Sequence, residues 1–403
     1  MNKEERRKDV YYITLYVLVM IAGACSIFAQ LPDIIAIPLL KNALTYVPWV
    51  LVAVYLFLYT CRVYYTDLKI FIIPGIVIVI YILGKIFNIN YRFNYLYTMM
   101  VSFFILLLGI LLGLNVYKED FNKILYSYVI CVIIFSVYIY FVIFKGVALS
   151  DAQTVKLEGG KNSSSIIILS GLVLALYNDF ILKRTKYIFI AFLAFLIILI
   201  KSRTAMVCCL IAIIAKLFIG TKTLKSKLFY IAILLIVYFL LMYKTDFYNI
   251  VIKKIFLKNK ELSEENLNEI TSTRTERFQW FYQNFNSFWL MGIGAPYEVL
   301  ENFYLYTLAV FGVCGSVFIF AYVLTPFYYI WKDRKEKNDG DLRLNLFIIT
   351  VVMLVGGLGE ALCPFGPGVK CYLLWLIFGY YIGHRNTKSE VTYNKAVNNN
   401  SVL

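Results

Sequence analysis

Arg203 stands where a permanent charge is expensive. It belongs to Lys201-Ser202-Arg203-Thr204, which separates two apolar runs, Ile188–Ile200 and Ala205–Ile219, of 13 and 15 residues. A bilayer crossing takes about 20 residues, and at about 1.5 Å per residue these runs reach only roughly 20–23 Å into a core of about 30 Å. The hairpin tip is therefore expected below the membrane surface, with a guanidinium on it. A charge at that depth calls for an anionic partner or a wet cavity. Guanidinium groups match phosphate oxygens as a bidentate fork, so phosphate binding is the chemistry this pattern suggests. A structural bond to loop carbonyls or to a buried acid is the alternative.

Two more guanidiniums lie in the long polar loop 244–302. Thr273-Arg274-Thr275-Glu276 has the form of a capping box and opens a helix. Phe278, Phe281, Phe285 and Phe288 then recur at helical spacing and form one face. Arg274 and Arg277 fall on that same face, at its start. Arginine in a first helical turn opposes the helix dipole, so helix stability does not account for the pair, whereas a bound anion does. A helix lying in the membrane interface, with its phenylalanines in lipid and its arginines on headgroups, fits the same pattern. The stretch Lys258–Ile270 reads as a solvated helix or loop. Gly292-Ile293-Gly294-Ala295-Pro296 is expected to end the Phe-bearing helix. With no strand before it, that Gly-x-Gly is not a dinucleotide fingerprint.

Glu301-Asn302 precedes the next apolar run. Glu301 can accept a proton from a hydroxyl or pair with one of the arginines. Lys161-Asn162-Ser163 opens another run, where Lys161 is either an anion ligand or an interface anchor. Glu360, in Gly356-Gly357-Leu358-Gly359-Glu360, lies near a span end, where an intramembrane acid is functional or is paired with an arginine.

The elements that must position these groups are membrane helices. The 403-residue chain is 61% hydrophobic and 18% aromatic, which no soluble protein of this length matches. Twelve apolar segments are expected, at roughly 11–30, 43–61, 70–87, 95–114, 122–144, 163–181, 187–200, 204–219, 227–243, 303–331, 344–362 and 369–383. The domain reading is therefore helices one to nine in 1–243, a large loop with an amphipathic helix in 244–302, helices ten to twelve in 303–384, and a disordered tail in 385–403. The basic stretch Met1–Asp9 precedes an apolar run long enough to span and without a cleavage-type ending, so it is read as the start of the first span. With the N-terminus in the cytoplasm, the inner short loops and tails hold 22 Lys and Arg and the outer short loops 9. That bias puts both termini inside and the long loop outside. The helices starting at Ser163, Thr204 and Phe303 then all run inward from the outer face. Helix N-termini attract anions, and Lys161 and Arg203 add full charges to two of them. One histidine, His384, leaves no material for a histidine-based triad or metal site. The eight cysteines lack metal spacing and read as small apolar fillers.

In order along the chain, Lys161-Asn162-Ser163, the Lys201-Ser202-Arg203-Thr204 hairpin, Arg274 and Arg277, Gly292-Ile293-Gly294, Glu301-Asn302-Phe303-Tyr304-Leu305 and Phe311-Gly312-Val313-Cys314-Gly315 resemble the Wzy-type O-antigen and capsular polysaccharide polymerases and the related O-antigen ligases. The resemblance covers about residues 155–330. It implies an all-α polytopic fold similar to the glycosyltransferase C type, in the bacterial plasma membrane. The donor it implies is an oligosaccharide on undecaprenyl diphosphate, with no cofactor and no metal. An acceptor hydroxyl attacks the anomeric carbon with inversion, and the lipid diphosphate leaves. Arg203, Arg274, Arg277 and Lys161 would bind the diphosphate, Glu301 would be the base, and Asn162, Ser202, Asn302 and Glu360 would support them. The bilayer, a chain-length regulator and a flippase of the same pathway are the implied partners; nucleic acid is not. Ligases carry His-Asn where this chain has Glu301-Asn302, which favours a polymerase over a ligase. A transporter or lipid flippase is the competing class, but it would spread charge through the depth of its spans, whereas here basic residues gather on one side.

Overall fold

The computed structural model describes residues 3–59, 69–86, 89, 91, 93–145, 161–177, 183–220, 253, 256–261, 263–271, 274–295, 300–334, 340–361, 363–365 and 372–386. Regular structure among them is entirely helical. The helices are α1 (Lys3–Phe28), the single turn α2 (Pro32–Ile35), α3 (Pro38–Tyr59), α4 (Lys69–Ile86), α5 (Phe93–Asn115), α6 (Lys118–Tyr138, extended by a π-helical turn Ile139–Phe144), α7 (Lys161–Tyr177), α8 (Lys183–Ile200) and α9 (Arg203–Gly220). Then follow α10 (Glu264–Ile270), α11 (Arg274–Phe288), α12 (Phe303–Lys332), α13 (Gly340–Gly356) and α14 (372–386). Four of the described helices, α3, α5, α6 and α12, are long and apolar enough to cross a bilayer, and shorter apolar helices accompany them. This is the architecture of a polytopic membrane protein. The apolar segments expected from the sequence fall on these helices, except 227–243, which lies outside the described residues. Most of the expected tail also lies outside them, but Arg385 is still helical and bonds the buried Asp333 at 3.2 Å.

α7 is the hub. From Ser164 to Tyr177 every residue is buried, and α7 packs on α6, α8, α9 and α13. A helix that is apolar all round belongs inside a bundle. α14 is the second core helix, and its approach to α5 rests on glycine. Gly109 and Gly113 of α5 face Gly379 and Gly383 of α14, and a Cβ on Gly379 would lie 2.2 Å from the Leu106 carbonyl. This is the small-xxx-small device by which membrane helices bring their backbones together.

α12 departs from the single helix expected over 303–331. Its backbone breaks at Gly312 (φ 61°, ψ −171°). The loop after α11 fills the break. Ile293 N–H donates to Ala309 O at 2.8 Å and Gly294 N–H to Val310 O at 3.1 Å. In return Val313 N–H donates to Trp289 O at 2.7 Å and Cys314 N–H to Leu290 O at 3.1 Å. Irregular backbone at membrane depth persists only where protein satisfies it, and here α11's own exit loop does so. Gly292-Ile293-Gly294 thus does more than end α11: it fastens α11 to α12, and so places Arg274 and Arg277 relative to Glu301.

Candidate functional site

The α8–α9 hairpin turns on Lys201, which has φ 58°, and on Ser202; both are buried. Arg203 is the first residue of α9. The helices themselves exceed the apolar runs, because α8 begins in Lys183-Arg184-Thr185-Lys186; at 18 residues each they are about 27 Å long. Ser202 Oγ donates to Asn162 Oδ1 at 3.1 Å, tying the tip to the start of α7. Lys161 is the first residue of α7, but its side chain lies outside the described residues.

Arg203 reaches across to the long loop. Its Nη1 donates to Ile270 O at 2.5 Å and to Phe256 O at 3.4 Å. Lys258 Nζ donates to the neighbouring carbonyl, Glu269 O, at 2.5 Å. Two cations thus cap the C-terminal end of α10, where helix carbonyls are free and the dipole favours positive charge. Burial, together with the nearby Arg203 charge, pushes the Lys258 ammonium below its usual range.

α11 begins at Arg274; Thr273 of the expected capping box lies outside the described residues. Glu276 is held by Asn268, whose Oδ1 accepts from Glu276 N at 3.4 Å and whose Nδ2 donates to Glu276 Oε1 at 2.5 Å. Phe281 and Phe288 are buried, and Phe278 and Phe285 are half-buried against the same cluster. The aromatic face therefore packs on protein, and it turns the arginines toward Glu301. Arg274 Nε donates to Glu301 Oε2 at 2.8 Å, and Arg274 Nη2 lies 2.7 Å from the same oxygen. Arg274 Nη2 also donates to Gly359 O at 3.1 Å. Arg277 Nη1 is 3.5 Å from Glu301 Oε1. Of the two roles the sequence leaves to Glu301, the ion pair is formed here. The carboxylate still keeps 41% of its side-chain surface open.

Asn302 caps α12. Its Oδ1 accepts from Tyr304 N at 3.0 Å and Leu305 N at 3.1 Å, and its Nδ2 donates to Leu358 O at 3.2 Å. Phe303 N donates to Gly357 O at 2.7 Å. The Gly-Gly-Leu-Gly-Glu turn after α13 is therefore stitched to both the α12 cap and Arg274. Glu360 is half-buried in that turn.

These contacts border an open cleft of about 360 Å³ lined by Arg203, Thr204, Val207, Thr271, Arg274, Phe278, Val355, Leu358 and Gly359. It has two guanidiniums at one pole and hydrocarbon at the other. Val207 and Leu358 are 41% and 58% exposed, and Leu210 one turn further along α9 is 54% exposed, so the apolar side continues onto the flank of the bundle. Arg203, Arg274, Arg277, Glu301 and Asn302 are all brought to this place. Ser202 and Asn162 brace it from behind. Sequence reasoning missed Lys258 and Thr271, and neither carries a local pattern that marks it.

Residues 188–320 match the family model of the O-antigen ligases. That segment, about a third of the chain, is similar to the O-antigen ligase family. It contains Arg203, Arg274, Arg277, Glu301 and Asn302. No curated protein matches the chain.

Proposed function

We propose that this protein is a polymerase. It joins oligosaccharide units carried on a polyprenyl diphosphate at the outer face of the plasma membrane. The observation that carries the reading is the two-pole cleft: guanidiniums of Arg203 and Arg274 beside Val207, Phe278, Val355 and Leu358. A phosphate on a hydrocarbon chain has the same two poles. In the reaction, the acceptor hydroxyl oxygen forms a bond to the anomeric carbon of the donor. The bond from that carbon to the diphosphate oxygen breaks, and the electron pair leaves with the lipid diphosphate. The hydroxyl proton passes to Glu301, whose side chain keeps 41% of its surface open. Charge grows on the leaving diphosphate, and fixed guanidiniums stabilise growing charge without reorganising. Lys161 and Arg277 add positive charge, Ser202 and Asn162 brace the hairpin, Asn302 fixes the half-helix, and Glu360 belongs to the turn that orients Arg274. Orientation follows the charge bias of the loops: both termini in the cytoplasm, the site outside, within reach of a flippase and a chain-length regulator of the same pathway.

The test is a reconstituted assay with one purified lipid-linked repeat unit. A ladder of lipid-linked polymer is expected. Transfer of preformed chains to a different acceptor, with no ladder, would replace the polymerase by a ligase. Movement of the lipid-linked unit across vesicles without bond formation would replace it by a flippase.

A further inference from the structure

Lys258 holds a backbone conformation that lysine seldom adopts. Its φ is 52°, and that of Asn259 is 61°. Asparagine visits this left-handed region readily, whereas lysine does so rarely. Such a conformation persists where the surrounding contacts over-determine it, and it is commonest at ligand-binding places. The turn is closed by Asn259 N–H on Lys253 O at 2.7 Å and by Lys260 N–H on Leu257 O at 3.0 Å. Asparagine at position 258 would fit the same turn with less strain, so the backbone does not account for a lysine there.

The side chain does. It reaches the C-terminal end of α10, where Nζ donates to Glu269 O at 2.5 Å. The next carbonyl, Ile270 O, accepts from Arg203 Nη1 at 2.5 Å. An ammonium and a guanidinium therefore sit on consecutive carbonyls. Arg203 Nη1 also donates to Phe256 O at 3.4 Å, which holds the turn bearing Lys258 on the hairpin tip. Arg274 lines the same cleft as Arg203, so three cations gather at its polar end. Burial first, and then the Arg203 and Arg274 charges, push the Lys258 ammonium below its usual range.

The carbonyl contact of Lys258 is exchangeable. A hydrogen bond from an ammonium to an ionised phosphate oxygen carries charge on both sides and is stronger than one to a neutral carbonyl. Lysine, a compact charge on a flexible stem, can follow such an oxygen where a rigid fork cannot. The reaction creates the need. The bound donor is a diphosphate diester. When the sugar leaves, the phosphate that carried it becomes a monoester and gains up to about one further negative charge. Arg274 already holds Glu301 with two nitrogens. On the polymerase reading, on which this inference rests, we propose that Lys258 is a ligand of the leaving diphosphate. Its ammonium leaves Glu269 O and bonds the phosphate oxygen released from the anomeric carbon. The electron pair of the broken carbon–oxygen bond stays on that phosphate, the acceptor's proton goes to Glu301, and Lys258 remains protonated throughout.

The test uses the full-length protein in lipid nanodiscs and two probes. Polyprenyl diphosphate has the monoester end. A glycosyl polyprenyl diphosphate with a methylene in place of the oxygen between sugar and phosphate cannot be cleaved and keeps the donor's blocked end. Lys258→Asn suits the left-handed turn and removes the cation. It should weaken polyprenyl diphosphate by about tenfold and leave the uncleavable donor nearly unchanged. Lys258→Arg, which returns the charge, should bind polyprenyl diphosphate nearly as the unaltered protein does. In single-turnover assays Lys258→Asn should lower the rate at saturating donor by up to about tenfold, because the transition state shares the growing charge, with the donor KM little changed. On the unaltered protein, polyprenyl diphosphate should protect Lys258 from a water-soluble amine-acylating reagent, read by mass spectrometry, and phosphatidylglycerol should not. Equal loss of both probes from a folded Lys258→Asn variant would make Lys258 a prop of the loop, and protection by phosphatidylglycerol would make it a headgroup anchor. Either result overturns the proposal. The protection experiment needs no variant, so misfolding does not blunt it. Unchanged affinity for polyprenyl diphosphate in Lys258→Asn, with polymer made by the unaltered protein, sinks Lys258 and keeps the polymerase. The selective loss of affinity without polymer from the unaltered protein does the reverse.

Discussion

Arg274 grips one oxygen of Glu301 with two nitrogens, Nε at 2.8 Å and Nη2 at 2.7 Å from Oε2. Among the described residues, Arg277 approaches the other oxygen, Oε1, at 3.5 Å, which is long for a hydrogen bond. The carboxylate is thus anchored on one side and approachable on the other. A group that must take a proton from an acceptor hydroxyl needs both properties, because position has to be fixed before basicity counts.

Glu301→Gln keeps the shape and one accepting oxygen but cannot take the proton. General-base contributions are typically about 10²–10⁴-fold, so turnover should fall by that order. Donor affinity should change little, because the glutamine oxygen can still hold Arg274. Separate measurement of donor affinity and turnover on purified protein checks this. Normal turnover with weakened donor binding would make Glu301 an orienting residue only.

Arg203 is bonded to the carbonyls of Ile270 and Phe256, the alternative that the sequence left open, and it also lines the cleft beside Arg274. The two facts predict different outcomes for Arg203→Lys. An ammonium can still bond one carbonyl, so a purely structural arginine would be replaced with modest loss. A phosphate ligand loses its fork. Removing one donor that stabilises developing charge costs about 10²–10³-fold in rate, and polymer yield should drop on that scale while membrane levels of the protein stay normal. Full yield from Arg203→Ala would remove Arg203 from the phosphate site.

Gly312→Ala should unseat the site without touching it. A Cβ there would lie 2.4 Å from the Leu290 carbonyl, and one on Gly292 would lie 2.2 Å from Val310 O. Gly312 also has a backbone conformation that is nearly glycine-only. A cost of about 3 kcal/mol or more is expected from strain and lost backbone bonds. A marked fall in the thermal midpoint of the purified protein, together with lost activity, is the expected result; an unshifted midpoint would show that the exit loop of α11 does not hold the α12 break.

The helical segments were legible because hydropathy runs of span length are strong signals, and the Arg203 hairpin because its apolar flanks are short. The Phe face of α11 was legible from spacing alone, although spacing could not say whether lipid or protein covers it; burial of Phe281 and Phe288 answers that for protein. The break in α12 was not legible. Phe311-Gly312-Val313-Cys314-Gly315 is as apolar as an unbroken span, and what breaks it is a partner loop 20 residues earlier in the chain, at Gly292. Lys258 was hidden for a related reason. It meets Arg203 only because both bind neighbouring carbonyls at the end of α10, a tertiary event with no trace in local pattern.

The sidedness of the site rests on loop charge, and it has a direct check. Glu261 is exposed, in the polar turn before α10. In a variant without the native cysteines, Glu261→Cys should react with a membrane-impermeant maleimide in intact cells. The positive-inside bias of 22 against 9 concerns the short loops, the regime in which that rule holds best. α10 is tied to Arg203 through Ile270 O and to α11 through the Asn268–Glu276 contact. The side on which the Glu261→Cys variant is labelled is therefore the side on which the cations open. Labelling only after lysis would put Arg203, Arg274 and Glu301 in the cytoplasm. That outcome would exclude an outer-face polymerase and leave an enzyme that uses lipid-linked sugars before they cross the membrane.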